Sequence, residues 1–470
     1  MDLNFFATNS TNPNVLIPAI LKQWQPYYQW EAFKNYDPKH HKINCRTETP
    51  DRLIKVPTDD IDPKTNEPIM ANKIEKVTRI SLAYQKLIVK TSAAFLTNGG
   101  VTLKPDKTDA KGEELFQLVQ KTWKDNKLDY KNSDCAKTAL SQLECAEIWY
   151  SEKVLDANKK VVDGKMKVRF YKPSDGYSLI PVWDDNMDLI AFGLQYEDSK
   201  VQKSRYMDLY DKEKIQYYIN TGSGWQARPD KPTVIHLYKK IPVILWLRDQ
   251  SDWYDVQDLI DREEKVMSVY GDNNEYTGNP ILFGKTDDTL SMPAKGESGK
   301  YIQGSGTSDM KFIERNGKPE PIIFEKDFLK EHIYSLTQTP DLSFEAMQGL
   351  GDISGAALER LLISAHMKAI EGHNGWYGET IQRRLNFLVS ALASITPRLE
   401  SAIDLSITPA FGLFKLEADA DRVDIALKAS GNAQIMSHEE AIRYAKLTDD
   451  ADATLTKIKA DSAQPANQGQ

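Results

Sequence analysis

Cysteine is scarce. The 470 residues hold three, Cys45, Cys135 and Cys145, an odd number with no Cys-x-x-Cys and no Cys/His spacing suited to zinc. They read as free thiols, buried or partly buried, of a protein kept in a reducing cytoplasm. Long apolar runs are missing too. The longest, Ile241 to Leu247, falls far short of the roughly 18 residues of a membrane-crossing helix. The start, Met1-Asp2-Leu3-Asn4-Phe5-Phe6, has no basic stretch ahead of an apolar one, so no signal peptide is expected. The expectation is a soluble, intracellular chain. Basic excess is also absent: 60 Lys and Arg stand against 68 Asp and Glu, a net charge of -8. A protein that grips nucleic acid by neutralising phosphates shows the opposite balance, so tight bulk binding of DNA or RNA is disfavoured. A guiding or repelling surface stays open.

Signatures of catalysis are lacking as well. Gly278-Asn279-Pro280-Ile281-Leu282-Phe283-Gly284-Lys285-Thr286 imitates a phosphate loop, but five residues separate its glycines where four are needed. Asp287-Asp288 then stands where a helix should begin, and the segment reads as a strand and a turn. His366 and His373 lie two helical turns apart, about 10.5 Å, too far to share a metal ion. His40-His41 have no acidic partner pattern, and no HExxH, GxSxG or kinase set occurs. The pairs Asp59-Asp60, Asp184-Asp185 and Asp449-Asp450 read as solvated turns or caps. Neither a catalytic residue, a metal site nor a cofactor is expected.

What the chain has is material for folding: 40% apolar and 10% aromatic residues, enough for about three structural units at this length. A short amphipathic helix is expected around 14–34, then a polar, Pro-punctuated arm from Asp37 to Pro68. Ile74, Val77, Ile80, Tyr84, Leu87, Ile88 and Phe95 predict a helix from Asn72, as N-cap, to about Leu96, with Gly99 beyond its end. Helices follow at about 111–127 and 131–145. From Ala146 to Leu247 the pattern changes to short β-type runs at 147–150, 167–171, 189–196, 205–210, 215–219 and 234–238. Turns such as Asp163-Gly164 separate them, which predicts antiparallel hairpins rather than a doubly wound sheet. Helix returns from Asp252 to about Tyr276, a Gly-, Ser- and Lys-rich insert with strands fills 277–321, and a helix runs from Phe324 to Leu336, closed by Thr339-Pro340. After a loop from Asp341 to Gly355, the longest helix is expected from Ala356 to about Ile395. A strand near Gly412 to Leu416 and helices at 419–430 and 438–446 follow, the last opened by the capping box Ser437-His438-Glu439-Glu440. The polar end, Asp461 to Gln470, should fray. Two helices bracketing an insert, followed by a 40-residue helix of roughly 60 Å, suit a large assembly better than a monomer.

Several of these stretches, in this order, resemble the portal proteins of long-tailed, double-stranded DNA bacteriophages. Ile241-Pro242-Val243-Ile244 and Asp255 to Asp261 resemble that family's strand and the start of its first stem helix. Phe328 to Ile333, Thr339-Pro340-Asp341-Leu342 and Ser354 to Leu358 resemble the second stem helix, the channel loop and the start of the long wing helix. Asp419 to Leu427, Gly431 and Ile435 to Ala441 resemble its crown, and Asn72 to Leu96 with Gly99-Gly100-Val101 its early wing helix. The resemblance covers about 72–450.

It implies an α+β portal fold with wing, helical stem, small β-containing clip and α-helical crown. The implied division is 1–71 as a peripheral arm, 72–250 wing, 251–276 first stem helix, 277–321 clip, 322–339 second stem helix, 340–355 channel loop, 356–416 long wing helix and return strand, and 417–470 crown and tail. By the same resemblance the protein is not an enzyme. It is a ring, usually a dodecamer, at one capsid vertex of the virion, assembled in the host cytoplasm without a membrane. The large terminase ATPase docks on it and drives double-stranded DNA through the bore; head-completion or adaptor proteins, scaffold and major capsid protein are its other partners. The stem bore would then carry Asp258, Asp261, Glu264, Lys326, Lys330 and Glu331 as exposed positions. The channel loop would be Asp341, Ser343, Phe344, Glu345, Met347, Gln348, Gly349, Gly351 and Asp352, with Glu345, Gln348 and Asp352 towards the duplex. Lys285, Lys295, Lys300, Lys311 and Arg315 would make the clip contact. Another capsid or adhesion component, or a hydrolase or nuclease with an unfamiliar site, is the alternative.

Overall fold

In the computed structural model the described residues are 12–65, 68–106, 109–155, 161–197, 204–277, 281–285, 309–313, 320–343, 362–414, 419–431, 435–445 and 451–463. The helices are α1 (Pro13–Gln23), α2 (Tyr84–Thr97), α3 (Ala110–Asp125), α4 (Leu128–Gln142), α5 (Gln257–Thr277), α6 (Glu320–Leu336), α7 (Ile363–Asn374), α8 (Trp376–Ile395), α9 (Asp419–Ala429), α10 (His438–Ala445) and α11 (Ala451–Ala463). A single helical turn, Trp30–Phe33, follows α1. The strands form antiparallel sheets. A hairpin joins β1 (Arg52–Ile61) to β2 (Pro68–Glu75), and β3 (Val101–Pro105) pairs with the distant Ile407–Phe411. β4 (Glu144–Leu155) lies between β5 (Val161–Tyr171) and Val243–Leu247. A second sheet orders β6 (Ser178–Trp183), β7 (Leu189–Glu197), β8 (Arg205–Tyr210), β9 (Lys214–Asn220) and β10 (Trp225–Ala227), with β11 (Val234–Ile235) also on β9. Val243–Leu247 is β12, and β13 (Ile281–Lys285) pairs with β14 (Asp309–Ile313) between α5 and α6. Ile407–Phe411 is β15.

Apolar, β-branched content marks these strands more than strict alternation does. Along β6 the side chains of Leu179, Ile180 and Val182 are buried, and β12 (Val-Ile-Leu-Trp-Leu) is buried almost throughout, as a strand covered on both faces must be. The main core gathers α2, α3, α4, α8, β4 and β12 around Leu115, Trp149, Trp246 and Leu388. At its centre sits an ion pair with no exposure, Arg384 of α8 against Glu147 of β4. Glu147 accepts from Arg384 Nε at 2.9 Å and from Arg384 Nη2, from Trp246 Nε1 at 2.7 Å and from Trp149 Nε1 at 3.3 Å. Arg384 Nη1 donates to Asn132 Oδ1 at 2.7 Å, and the guanidinium lies over the Trp123 and Trp246 rings. All three guanidinium nitrogens and both Glu147 oxygens thus have partners, the condition under which a buried charge pair is tolerated.

Several expectations need correction. Asn72 does not cap a helix: it lies in β2 opposite Lys55, residues 76–82 follow as a strap outside any regular element, and helix begins at Tyr84. Ile74, Val77 and Ile80 imitate a helical stripe, but the strap's backbone donors are taken by another helix, as described below. The long helix is broken at Gly375 into α7 and α8. The chain doubles so tightly there that a Cβ on Gly378 would fall 1.9 Å from the His373 carbonyl oxygen, so that glycine is required. Of the strand expected at 412–416, residues 412–414 are not in a strand and 415–416 lie outside the described residues; the strand found here is β15, which ends just before Gly412. A Cβ on Gly99 would sit 1.7 Å from the Gly412 carbonyl oxygen, so the two backbones touch where β3 and β15 diverge. The helix expected around 14–34 is shorter, α1 with one separate turn at Trp30–Phe33, and the arm expected from Asp37 to Pro68 holds β1. Most other elements agree to within a few residues, and the capping box forms: Glu440 N–H donates to Ser437 Oγ at 3.2 Å and Ser437 N–H to Glu440 Oε2 at 3.0 Å. The helix α11 is an addition, and β1, β2, β3, β6 and β10 were not foreseen.

The cysteines are free: Cys135 and Cys145 are buried, Cys45 half-buried. No helix among the described residues is long and apolar enough to cross a membrane.

Candidate functional site

The expected stem positions fall on a pair of helices, α5 and α6. They run side by side, joined by Arg262 Nε donating to Glu325 Oε1 at 2.8 Å, and carry β13 and β14 between them. Lys368 of α7 clamps their upper ends: its ammonium meets Asp252 at 2.9 Å just before α5 and the Thr337 carbonyl just after α6 at 2.8 Å. Leu329 and Ile333 turn α6 inward, and Val256 and Ile260 do the same for the opening of α5.

One face of α5 is a polar ladder. Thr78 N–H donates to Asp272 Oδ1 at 2.6 Å, Ile80 N–H to Ser268 Oγ at 2.8 Å and Leu82 N–H to Glu264 Oε1 at 2.7 Å. Alternate donors of the extended strap thus meet side chains one helical turn apart. This is why 76–83 does not become helix: its orphan N–H groups find partners only when extended. Gly271 lets the strap lie close, since a Cβ there would meet Thr78 Cγ2 at 2.9 Å.

Glu264 also holds the N-terminal segment. Its Oε1 lies 2.5 Å from His41 Nδ1, both side chains fully buried, while His41 Nε2 faces the Asn35 carbonyl at 2.7 Å. A carbonyl only accepts, and so does an ionised carboxylate, so the arrangement calls for a doubly protonated ring. Burial disfavours that charge, but the Glu264 carboxylate outweighs it and raises the His41 pKa above its usual value. Lys42 adds a bridge to Asp261 at 2.7 Å, and Arg52 at the root of the β1–β2 hairpin one to Asp272 at 2.9 Å.

The six expected bore positions therefore separate. Glu264 is fully buried against the strap and His41, and Asp261 is largely covered by Lys42 and Gln257. Reading these two as exposed was wrong, because the face they occupy is the one that receives the N-terminal segment. Asp258 and Glu331 are exposed. Lys326 is half-buried and meets Asp327 at 3.1 Å; Lys330 meets Asp341 at 3.0 Å. Of the loop positions, Asp341 and Ser343 are described. Burial alone would raise the Asp341 carboxyl, but the Ser343 N–H and the Lys330 ammonium hold it below the usual range. Phe344, Glu345, Met347, Gln348, Gly349, Gly351 and Asp352 lie outside the described residues, as do Lys295, Lys300 and Arg315. Lys285 pairs with Asp309, and Lys311 with Phe283, in the β13–β14 register.

The scattered histidines are structural. His366 Nε2 faces the Phe414 carbonyl and His373 Nε2 the Leu96 carbonyl, each at 2.7 Å, fastening α7 to its neighbours. Among the described residues no three His, Cys, Asp or Glu are grouped as a metal ion would need. A groove of about 770 Å³ opens beside β12, with Ile241, Val243 and Phe387 in its floor and Lys239 and Lys240 on its rim. Its Asp211 serves the β8–β9 turn, accepting the Glu213 and Lys214 N–H groups at 2.7 Å. Sequence reading missed the ladder, although its signal was present: Asp261, Glu264, Ser268 and Asp272 recur at three or four residues on a helix of otherwise mixed character.

Comparison with known proteins returns a family. The model of "Phage portal protein, SPP1 Gp6-like" matches residues 21–468. No curated protein matches the chain. Among solved structures it is similar to a chain in the neck of an empty gene transfer agent particle, at 12% identity and a TM-score of 0.38, over 78% of this chain and 89% of that one. It is similar as well to a chain in the virion of a native gene transfer agent particle, at 13% identity and a TM-score of 0.35, with the same coverages. The family match spans nearly all of the sequence, from the end of α1 past α11: the chain belongs to the SPP1 Gp6-like phage portal proteins, structural components that serve as the head-to-tail connector of a virion.

Proposed function

We propose that twelve copies close into a ring at one vertex of the capsid, through whose bore double-stranded DNA is packaged and later released. The observation that carries this is the family match over residues 21–468, and the side-by-side α5–α6 pair with its β13–β14 hairpin supports it. In this reading α5 and α6 form the stem, and the β13–β14 unit forms the clip on which the large terminase ATPase and later the head-completion or adaptor proteins dock. Residues 340–355 form the channel loop. The helices and sheets of 72–250 with α7 and α8 form the wing, among scaffold and major capsid protein; α9 to α11 form the crown. The protein contributes no catalysis; the motor does. Assembly takes place in the host cytoplasm.

A conduit must let its cargo slide. Each phosphate neutralised by Lys or Arg adds a salt-dependent binding free energy, and many such contacts around a ring would stall translocation. The exposed stripe of α5, Asp258, Arg262, Lys265 and Val269, suits the bore wall, because it mixes both signs and Arg262 is already engaged by Glu325. The chain's net charge of -8 argues in the same direction.

Native mass measurement with negative-stain imaging of the purified chain tests the proposal. A closed ring of about twelve copies with a central hole is expected; a monomer, or a particle with no hole, refutes it. Such rings should also leave duplex DNA unbound at physiological salt, and nanomolar binding would overturn the bore assignment alone.

A further inference from the structure

The β1–β2 hairpin is tied to the body at its root by Arg52 to Asp272, and beyond that root it stands alone. Among the described residues no other element lies along it. At ten residues β1 is roughly 33 Å long. A two-stranded hairpin is marginal at best in water unless something covers a face, and this one shows apolar residues to solvent. Leu53 and Ile74 are directly opposed, each 68% exposed, and Met70 follows on the same face at 53%. Lys55 shares that face and the exposed Lys76 follows the end of β2, whereas Lys73 lies on the opposite face across from Ile54, so the surface is apolar with a basic edge at Lys55 and Lys76.

A second uncovered surface lies on α6. Phe324 and Phe328, one turn apart and stacked with ring centroids at 6.3 Å, are 72% and 47% exposed, although this helix buries Leu329 and Ile333 on its other side. Glu320 and Glu331 are exposed on the same face, and Asp327, bridged to Lys326, flanks it. This surface is apolar and acidic. An apolar patch rimmed by charge of one sign marks a contact site, and here one chain carries two with opposite rims.

We propose that the two surfaces meet across subunits: the Leu53–Met70–Ile74 face of one copy's hairpin covers the Phe324–Phe328 face of a second copy's α6. The inference rests on the ring reading above and gives it a contact. Such a joint is head-to-tail, with different patches on the two partners, and repetition of one head-to-tail contact closes a ring. The root of the hairpin at Asp272 and the aromatic face of α6 both belong to the α5–α6 pair, so the joint links neighbours at the level of that pair. It also withdraws Glu331 from the bore and assigns it to the side that meets the neighbour.

The test is a double-mutant cycle on the full chain, read as the subunit concentration at which the ring half-dissociates. Leu53→Ser with Ile74→Ser should raise that concentration at least about tenfold, and so should Phe324→Ser with Phe328→Ser. All four together should do little more than either pair, since partners in one contact are not additive. Full multiplication of the two effects, or an unchanged ring in either pair, overturns the joint. Every position is exposed, so the melting temperature of the dissociated chain should hold and exclude misfolding. A ring too tight to dissociate is read by bismaleimide linking of Leu53→Cys with Phe328→Cys in a Cys45→Ser background. A ladder of linked chains supports the joint, and a single unlinked band overturns it. Should the unaltered chain form no ring at any concentration, the ring reading itself falls, an outcome distinct from a ring that lacks this contact.

Discussion

Replacing Arg384 by Met would keep the aliphatic stem in the core and remove the cation. Glu147 would retain the Trp246 N–H at 2.7 Å and the weaker Trp149 N–H at 3.3 Å. It would lose both guanidinium bonds and be left as a fully buried, uncompensated carboxylate. Breaking a buried pair from one side costs about 3–5 kcal/mol. The loss extends to the guanidinium packed over two indole rings, with centroids at 5.2 and 5.4 Å, and to Asn132 Oδ1, which would lose its donor. At roughly 2 °C per kcal/mol for a large chain the melting temperature should fall by about 6–10 °C. The informative comparison is Arg384→Met combined with Glu147→Gln. The neutral amide carries no buried charge, and its oxygen can still accept from Trp246, so at least half of the loss should return. Thermal unfolding followed by circular dichroism, with urea unfolding as a check, measures both variants. A single variant that melts within 2 °C of the parent, or a double variant no better than the single, would refute the reasoning that the charge, not the packing, dominates this site.

The remaining predictions concern pH and the strap. His41 is held above its usual pKa, so its contribution is fully present below the unfolded value of about 6.5 and is lost as pH rises through the higher folded value. The stability advantage of the parent over His41→Gln should therefore be largest near pH 6 and shrink above pH 7; an advantage that grows with pH would reverse the sign. Burial pushes Glu144 up to about 7, against a lowering bond from the Tyr28 backbone, so its ionisation costs stability as pH rises from about 4.5 to 7. Glu144→Gln should then melt higher than the parent at pH 8 and show no gain at pH 4, and equal shifts at both would discard the assignment. Asp272→Ala orphans the Thr78 N–H and frees Arg52, a loss of about 1–3 kcal/mol confined to the strap. Faster hydrogen exchange at 76–82 with little change in α3 and α8 is expected, and uniform protection across the chain would count against a separate ladder.

Elements whose partners are near in sequence were legible. α3, α4, α10 and the β8–β9 hairpin follow from their own periodicity, caps and turns, and the capping box formed as its residues indicate. What escaped was set from far away. Residues 76–82 carry a helix-like stripe, yet acceptors on α5, some 190 positions on, take their N–H groups and hold them out of a helix. Periodicity gives a face but not what the face meets, so Asp261 and Glu264 were placed towards solvent when they serve the N-terminal segment. The break at Gly375 escaped although Gly372, Gly375 and Gly378 fall within seven residues, because single glycines are tolerated in a helix and only the close approach of Gly378 to the His373 carbonyl marks the turn. The order of elements carried the family resemblance because order survives where individual contacts cannot be read.

The ladder on α5 also has a built-in length limit. Two residues of extended chain advance about 6.7 Å, whereas four residues of helix advance about 6.0 Å. The two scales slip by about 0.7 Å per rung, and good hydrogen bonds tolerate roughly 0.5 Å. Side-chain reach takes up the difference: the short Ser268 stands at the middle rung and the longer Glu264 and Asp272 at the ends. A fourth rung would be out of step, and the sequence stops offering them, with the buried Ile260 one turn before and Tyr276 one turn after. Like a vernier, the match coincides over a short span only, which fixes the strap's axial position on the helix to within a single residue.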